Sequence, residues 1–98
     1  MPVIILFTDN PAADPALRAA HMPDHLAFLE AQSGTISAAG PLRTEAGAGD
    51  GGLWVVETEE IAEAEALVRA DPFWSTGLRH SHRALHWTRV FQNAARQV

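Results

Sequence analysis

The chain has 98 residues, of which 47% are hydrophobic and 19% charged, and its formal charge is −5 at pH 7. This composition is too apolar for a disordered protein and predicts one small domain, residues 1–98, with a single hydrophobic core. The absence of cysteine excludes disulfides and thiolate metal ligands, and the acidic balance, with seven scattered arginines and no lysine, argues against nucleic-acid binding.

The N-terminal sequence MPVIILFTDNP contains an apolar run of only five residues and no preceding positive charge. It therefore matches neither a secretory signal peptide nor a membrane span. We expect a soluble, cytoplasmic protein that does not bind membranes.

The first part of the chain predicts a strand and then a helix. Residues 3–8, VIILFT, form a β-branched and aliphatic run that ends at the turn residues DNP. Residues 13–34 have helical character, and Asp14 followed by Pro15 is typical of a helix start. Because Pro23 lacks an amide N–H and its ring clashes with the preceding turn, we expect this helix to form two pieces, with a kink or a fresh start near Met22.

The second part predicts a hairpin, a helix and a last strand. Residues 35–42 and 53–58 read as strands, joined by a turn over 43–52 whose four glycines we expect at positive φ. Residues 59–70 predict a helix, with acidic residues early and a basic residue late, as the helix dipole favours. Residues 80–91 alternate enough to predict a fourth strand.

The order β-α-β-β-α-β is the ferredoxin-like pattern, an α+β fold in which both helices cover one face of a four-stranded antiparallel sheet. The other face also carries apolar residues. In the third strand, Leu53 and Val55 point to one side and Trp54 and Val56 to the other. Because a monomer rarely exposes a large apolar patch, we expect a symmetric homodimer that stacks sheet to sheet.

Five segments, taken together in this order and spacing, resemble the YciI-like (YCII-related) proteins. They are HLAFL at 25–29, AAGPL at 38–42, DGG at 50–52, ADPFWSTGL at 70–78 and HWTRVF at 86–91. The resemblance covers nearly the whole chain and implies a small bacterial domain with a ferredoxin-like, dimeric α/β-barrel fold. That fold is similar to the fold of muconolactone isomerases and chloromuconolactone dehalogenases, and the family's own reactions are mostly unassigned.

The resemblance also implies a histidine–aspartate pair, carried here by His25 and Asp71. Histidine is the side chain that most readily moves a proton near neutral pH, and a neighbouring carboxylate fixes its tautomer. His25 would then act as general acid or base, and Asp71 would orient it. The alternative is that Asp71 only caps the short helix PFWS and that His25 is a packing or surface residue.

The chain departs from the family at one position near this histidine. The family often has an arginine three residues before it, where this chain has Met22. Either Arg18 or His21 would then bind the negative group of a substrate, and His21 is itself an alternative match for the family histidine. The fifteen-residue step from His25 to Gly40 favours His25.

Aromatic and glycine-rich segments suggest a binding pocket for a small ligand. Phe73 and Trp74, together with Trp87, could line an apolar pocket, although such residues also serve as core or dimer contacts. The GPL segment, with Gly40 and Pro41, and the glycine-rich turn could offer backbone amides to an anion, or could simply form turns.

Three histidines near the C-terminus raise the question of a metal site. His80, His82 and His86 share strand parity, so all three could project from one face of the last strand. A histidine pair alone is a weak zinc signal, because a catalytic site needs a third ligand and an open position. We favour edge or interface roles, and expect no metal and no cofactor.

These observations predict a small-molecule enzyme that transfers protons on a small anionic metabolite in an isomerase-, dehalogenase- or lyase-like reaction. The reaction class follows from fold analogy alone. The alternative is a non-catalytic module that binds a small ligand or serves as a subunit or sensor.

Overall fold

A computed structural model describes residues 1–98 and has the predicted ferredoxin-like α+β architecture. The main strands form one antiparallel sheet in the order β2-β3-β1-β4. In chain order the elements are β1 (Val3–Asp9), α1 (Ala16–Ala31), β2 (Ile36–Arg43), β3 (Gly49–Val56), α2 (Ile61–Ala70), a 3₁₀ turn (Trp74–Thr76), β4 (Arg79–His86), β5 (Phe91–Gln92) and β6 (Ala95–Arg96).

The hydrophobic core lies between the helices and one face of the sheet. β1 turns Val3, Ile5 and Phe7 toward the helices, where they pack in one buried cluster with Ala64 and Val68 of α2. Strands β2 and β3 complete that cluster with Ile36, Trp54 and Val56. Alternate residues of each strand therefore build the core, as the period of two requires.

The opposite face of the sheet is apolar as well. Ile4 and Leu6 of β1 are half-buried there, beside Leu53 of β3 and the 38% exposed Leu85 of β4. No helix of the chain covers this face, because both helices pack on the side of the core cluster.

Helix α1 continues through Pro23, so the predicted fresh start of the helix at this point is wrong. Proline removes only one hydrogen bond of the helical ladder, and the part of α1 that follows still packs Phe28 and Leu29 against the core. At its start, Ala16 donates a backbone hydrogen bond to Oδ1 of Asp14. Neither helix is long and apolar enough to cross a membrane.

The hairpin between β2 and β3 is tighter than predicted, because β3 already begins at Gly49. In the predicted turn Gly47 and Gly51 have positive φ, at 90° and 78°, so the expectation is confirmed for these two glycines and wrong for Gly49 and Gly52. At Gly51 a Cβ atom would lie 1.8 Å from the carbonyl oxygen of Phe7. The close approach of two backbones therefore requires glycine at this position.

Strand β4 is shorter than predicted and contains a bulge. It ends at His86, and the chain then forms a separate short hairpin from β5 and β6. Within β4, Ser81 pairs with Thr8, but the next pair is Arg79 with Asp9, which leaves His80 as an extra residue. The bulge reverses the alternation of side chains from this point.

Candidate active site

A cavity of about 120 Å³ lies between α1 and the helix-facing side of the sheet. His25 of α1 and Phe73 form part of its wall, with Gly40 and Pro41 of β2 and Arg79 of β4. An engineered protein cavity of about 150 Å³ binds benzene. The cavity thus has the size of one small ring, and its open side allows substituents to extend outward.

A buried ion-pair network stands behind this cavity. Nδ1 of His25 lies 2.8 Å from Oδ1 of Asp71, and Nη1 of Arg79 donates to Oδ2 of Asp71 at 2.6 Å. The Asp71 side chain is 0% exposed. The carboxylate therefore joins a residue of α1 to a residue of β4, although 46 residues of sequence separate His25 from Asp71.

The local sequence holds Asp71 in this position. Helix α2 ends at Ala70, and Asp71 is extended, with φ −65° and ψ 133°, as the residue before a proline prefers. The amide of Phe73 then donates to Oδ1 of Asp71 at 3.2 Å. Asp71 thus ends one helix, caps the following turn and still reaches His25.

The surroundings of Asp71 keep its carboxyl group ionised. Burial opposes ionisation, but the hydrogen bond from His25 and the positive charge of Arg79 outweigh it and hold the pKa of Asp71 below its usual value. An ionised carboxylate only accepts hydrogen bonds, so Nδ1 of His25 carries the shared proton. Nε2 of His25 makes no hydrogen bond and is not fully buried, so it is the ring atom free to exchange a proton with a ligand.

Stacking fixes the plane of the His25 ring. The ring lies against Phe73, with centroids 4.1 Å apart and planes inclined by 11°. Together with the hydrogen bond to Asp71, this contact fixes both the tilt and the rotation of the imidazole.

Arg79 is a residue of this site that the sequence did not indicate. Its Cζ lies 3.9 Å from the ring centroid of Phe7 and 5.4 Å from the centroids of Trp54 and Phe73. Burial lowers the pKa of Arg79, and the charge of Asp71 opposes that effect. Because an arginine begins far above neutrality, its guanidinium stays positively charged.

Arg18 lies at the more exposed side of the same cavity. Its Nη2 is 3.4 Å from Oδ1 of Asp9, and its side chain is 40% exposed. Oδ2 of Asp9 in turn accepts the amide hydrogen of Gly51 at 3.1 Å. That glycine amide is therefore already bonded within the protein.

The structure brings together only part of the residue set suggested by the sequence. His25, Arg18, Gly40, Pro41 and Phe73 line the cavity, and Asp71 lies behind His25. The remaining candidates, His21, Trp74 and Trp87, are not part of the wall.

Trp74 and the C-terminal histidines form different contacts. Trp74 is 46% exposed and meets the ring of His82 edge-on, at a centroid distance of 5.9 Å. His82 also bonds to the carboxylate of Glu65. His80 is the unpaired residue of the bulge, and no three potential metal-binding side chains cluster anywhere in the chain.

Comparisons with known proteins identify a matching family and a similar solved structure. The sequence pattern of the YCII-related domain matches residues 1–88. No curated protein matches the chain. Among solved structures, the chain is similar to the 5-chloro-2-hydroxyhydroquinone dehydrochlorinase TftG from Burkholderia phenoliruptrix AC1100, in complex with 2,5-dihydroxybenzoquinone. The two are 27% identical over 90% of this chain and 94% of that one, with a TM-score of 0.75.

Proposed function

Because the chain belongs to the YCII-related domain family, we propose that it is a small-molecule enzyme in which His25 transfers a proton and Asp71 orients the imidazole. The observation that carries this proposal is the buried hydrogen bond between His25 and Asp71, beside a cavity of ring size. The similarity to a dehydrochlorinase supports an enzyme rather than a purely structural module.

The proposed chemistry uses the two nitrogens of one imidazole. Nε2 of His25 takes a proton from the ligand, while Nδ1–H stays bonded to Asp71, whose negative charge stabilises the resulting imidazolium. If the ligand is a chlorinated hydroquinone in its keto form, with chlorine on a saturated ring carbon, removal of a hydroxyl proton lets the electron pair form a new carbonyl and shift the ring double bonds as chloride leaves. Without a leaving group, return of the proton to another atom gives an isomerisation.

The cavity favours a small ring with a negative charge. Phe73, Phe7 and Trp54 supply flat apolar walls, and two arginines provide positive charge. Arg18, at the exposed side, contributes to attracting such a ligand, and Gly40 and Pro41 form the wall on the β2 side. His21 and Trp74 have no part in this proposal, because they lie outside the wall.

We expect the enzyme to be a symmetric homodimer. The face of the sheet opposite the helices carries Ile4, Leu6, Leu53 and Leu85, and no helix of the chain covers it. Sheet-to-sheet packing of a second copy would remove this apolar surface from water.

The function is tested with chlorinated and unchlorinated hydroxyhydroquinones under anaerobic conditions. Chloride release is measured for the former, starting with 5-chloro-2-hydroxyhydroquinone, and exchange of ring hydrogen for deuterium for the latter. We expect His25→Ala to slow the reaction by about 100-fold or more, because a general base contributes that much. His86→Ala, which removes a histidine at the far end of β4, is the matched control and should leave the rate unchanged.

Two results would contradict the proposal. One is a His25→Ala variant that turns over a substrate at the wild-type rate. The other is a protein that binds 2,5-dihydroxybenzoquinone but turns over no member of the panel, which would favour the non-catalytic binding module.

A further inference from the structure

We infer that Arg79 binds the negatively charged oxygen of the ligand, and that the ligand is a single-ring oxyanion such as a phenolate, an enolate or a ring carboxylate. The inference rests on the proposed function only in taking the cavity as the ligand site. It does not require His25 to transfer a proton.

Arg79 reaches the cavity because of the bulge in β4. Asp9 of β1 pairs with Arg79 rather than with His80, so Arg79 projects from the same face of the sheet as Phe7. Its side chain lines the cavity and is 13% exposed. The guanidinium therefore faces the cavity rather than bulk solvent.

Only part of the guanidinium is used within the protein. Nη1 donates to Asp71, whereas Nε and Nη2 make no hydrogen bond, and neither atom is fully buried. Arginine has five N–H donors in a planar fork, which suits simultaneous binding of two oxygen acceptors. The ion pair with Asp71 thus holds the fork in place and leaves donors for a ligand.

The surroundings make Arg79 a stronger anion partner than Arg18. Three aromatic rings lie within 5.4 Å of Cζ of Arg79 and reduce its contact with water. Arg18, by contrast, is 40% exposed. Attraction between charges weakens as water surrounds them, so the same ligand charge gains more beside Arg79.

The arrangement also matches the proposed chemistry. One carboxylate, Asp71, holds both His25 and Arg79, so the proton acceptor and the positive charge keep fixed positions relative to each other. A ligand that gives its proton to Nε2 of His25 gains negative charge. Donors already fixed beside that charge stabilise it without rearrangement.

The test compares benzoate with benzamide, which share a ring and differ by one unit of charge. Their dissociation constants are measured by NMR titration, and the ratio of the two constants is formed for each variant. This ratio does not depend on the fraction of protein that is folded. We expect wild-type protein to prefer benzoate by about tenfold, as a charge-assisted hydrogen bond provides.

Three variants locate the source of the preference. Arg79→Gln should reduce the ratio to about one, since the charge-assisted bond is lost. The double variant Arg79→Gln/Asp71→Asn removes the counter-ion as well, so repulsion by an unpaired Asp71 cannot explain a reduced ratio, and it should lose the preference too. Arg69→Gln removes one positive charge from the outer surface of α2 and should retain the wild-type ratio.

A retained preference for benzoate in the double variant would overturn the inference. The same holds if wild-type protein binds both compounds equally, or if only Arg18→Gln loses the preference. The two proposals can also fail separately. If the double variant loses the preference while His25→Ala keeps full turnover, the anion site is supported and the proton-transfer proposal is contradicted.

Discussion

The carboxylate of Asp71 accepts hydrogen bonds from three parts of the chain: the side chains of His25 and Arg79 and the amide of Phe73. Replacing it with asparagine leaves Arg79 without its counter-ion in a mostly buried position. We expect Asp71→Asn to lower the free energy of unfolding by about 3 kcal/mol at pH 7, the cost of breaking a buried ion pair. Urea unfolding measures this loss.

The difference in stability between wild type and Asp71→Asn should depend on pH, and the pKa of Asp71 gives the direction of that dependence. The pKa of Asp71 is lower in the folded chain than its usual value, so its ionised form stabilises the fold. This contribution is fully present above the unfolded pKa of about 3.9 and is lost as the pH falls through the folded pKa. The stability difference between wild type and Asp71→Asn should therefore shrink below about pH 4.

A difference that stays constant from pH 7 to pH 3 would contradict this prediction. Glu57 is also acid-sensitive, because its hydrogen bond with Arg89 lowers its pKa. It is present in both proteins, so its effect cancels in the comparison.

At the residue scale, family resemblance could indicate His25 and Asp71, but nothing in the sequence could indicate Arg79. Strict alternation along β4 places His80 and His82 on one face and Arg79 on the other. The bulge that reverses this assignment depends on the pairing with β1 and leaves no signature in the sequence. Trp74 was misleading for a related reason, because its direction depends on how the 3₁₀ turn packs.

Strand β3 offers a prediction at the scale of an element. Gly51 combines a φ of 78° with a position where a Cβ atom would contact the carbonyl of Phe7. We expect Gly51→Ala to cost about 2 kcal/mol or more, from the unfavourable backbone angle and the clash together. Thermal and urea unfolding measure the change.

Gly34 provides the matched control for that substitution. A Cβ atom at Gly34 has nothing within 4 Å, and its φ is not positive. Gly34→Ala should therefore change stability by no more than about 0.5 kcal/mol. If Gly51→Ala and Gly34→Ala changed the stability equally, the backbone contact at Gly51 would not be the cause of the loss of stability.

The order of the elements followed from hydrophobic periodicity, whereas their ends did not. Glycines usually mark a turn, and yet Gly49 and Gly52 belong to β3, because pairing with β1 and β2 overrides their weak strand preference. Pro23 was expected to kink α1 or to start a new helix, but α1 continues through it, and apolar contacts later in the helix stabilise it. In each case a contact distant in sequence decided the local structure.

The molecule as a whole is more extended than a compact monomer of its size. Its radius of gyration is 14.1 Å, against about 12.6 Å for a typical compact chain of this length. Its accessible surface is 6263 Å², whereas a monomer of this mass typically has about 5,500 Å². The excess surface supports the proposal that a second copy covers part of the chain.

Light scattering tests the homodimer. We expect twice the chain mass of 10.6 kDa at micromolar concentration. Leu6→Glu introduces a charge on the uncovered face of the sheet and should yield monomers, because a buried unpaired carboxylate opposes association. Ala66→Glu, at an exposed position of α2, is the control and should remain dimeric. A wild-type protein of single-chain mass would contradict the homodimer.

The extra residue in β4 can be lost without moving the anion site. Deleting His80 would restore regular pairing between β1 and β4, with Ser81 opposite Thr8 and Arg79 still opposite Asp9, so the guanidinium would keep facing the cavity. The sheet, the helices and the core would need no other change. In a lineage of such proteins, a single codon could accordingly be lost or gained at this point of β4 while the arginine stays at the ligand site.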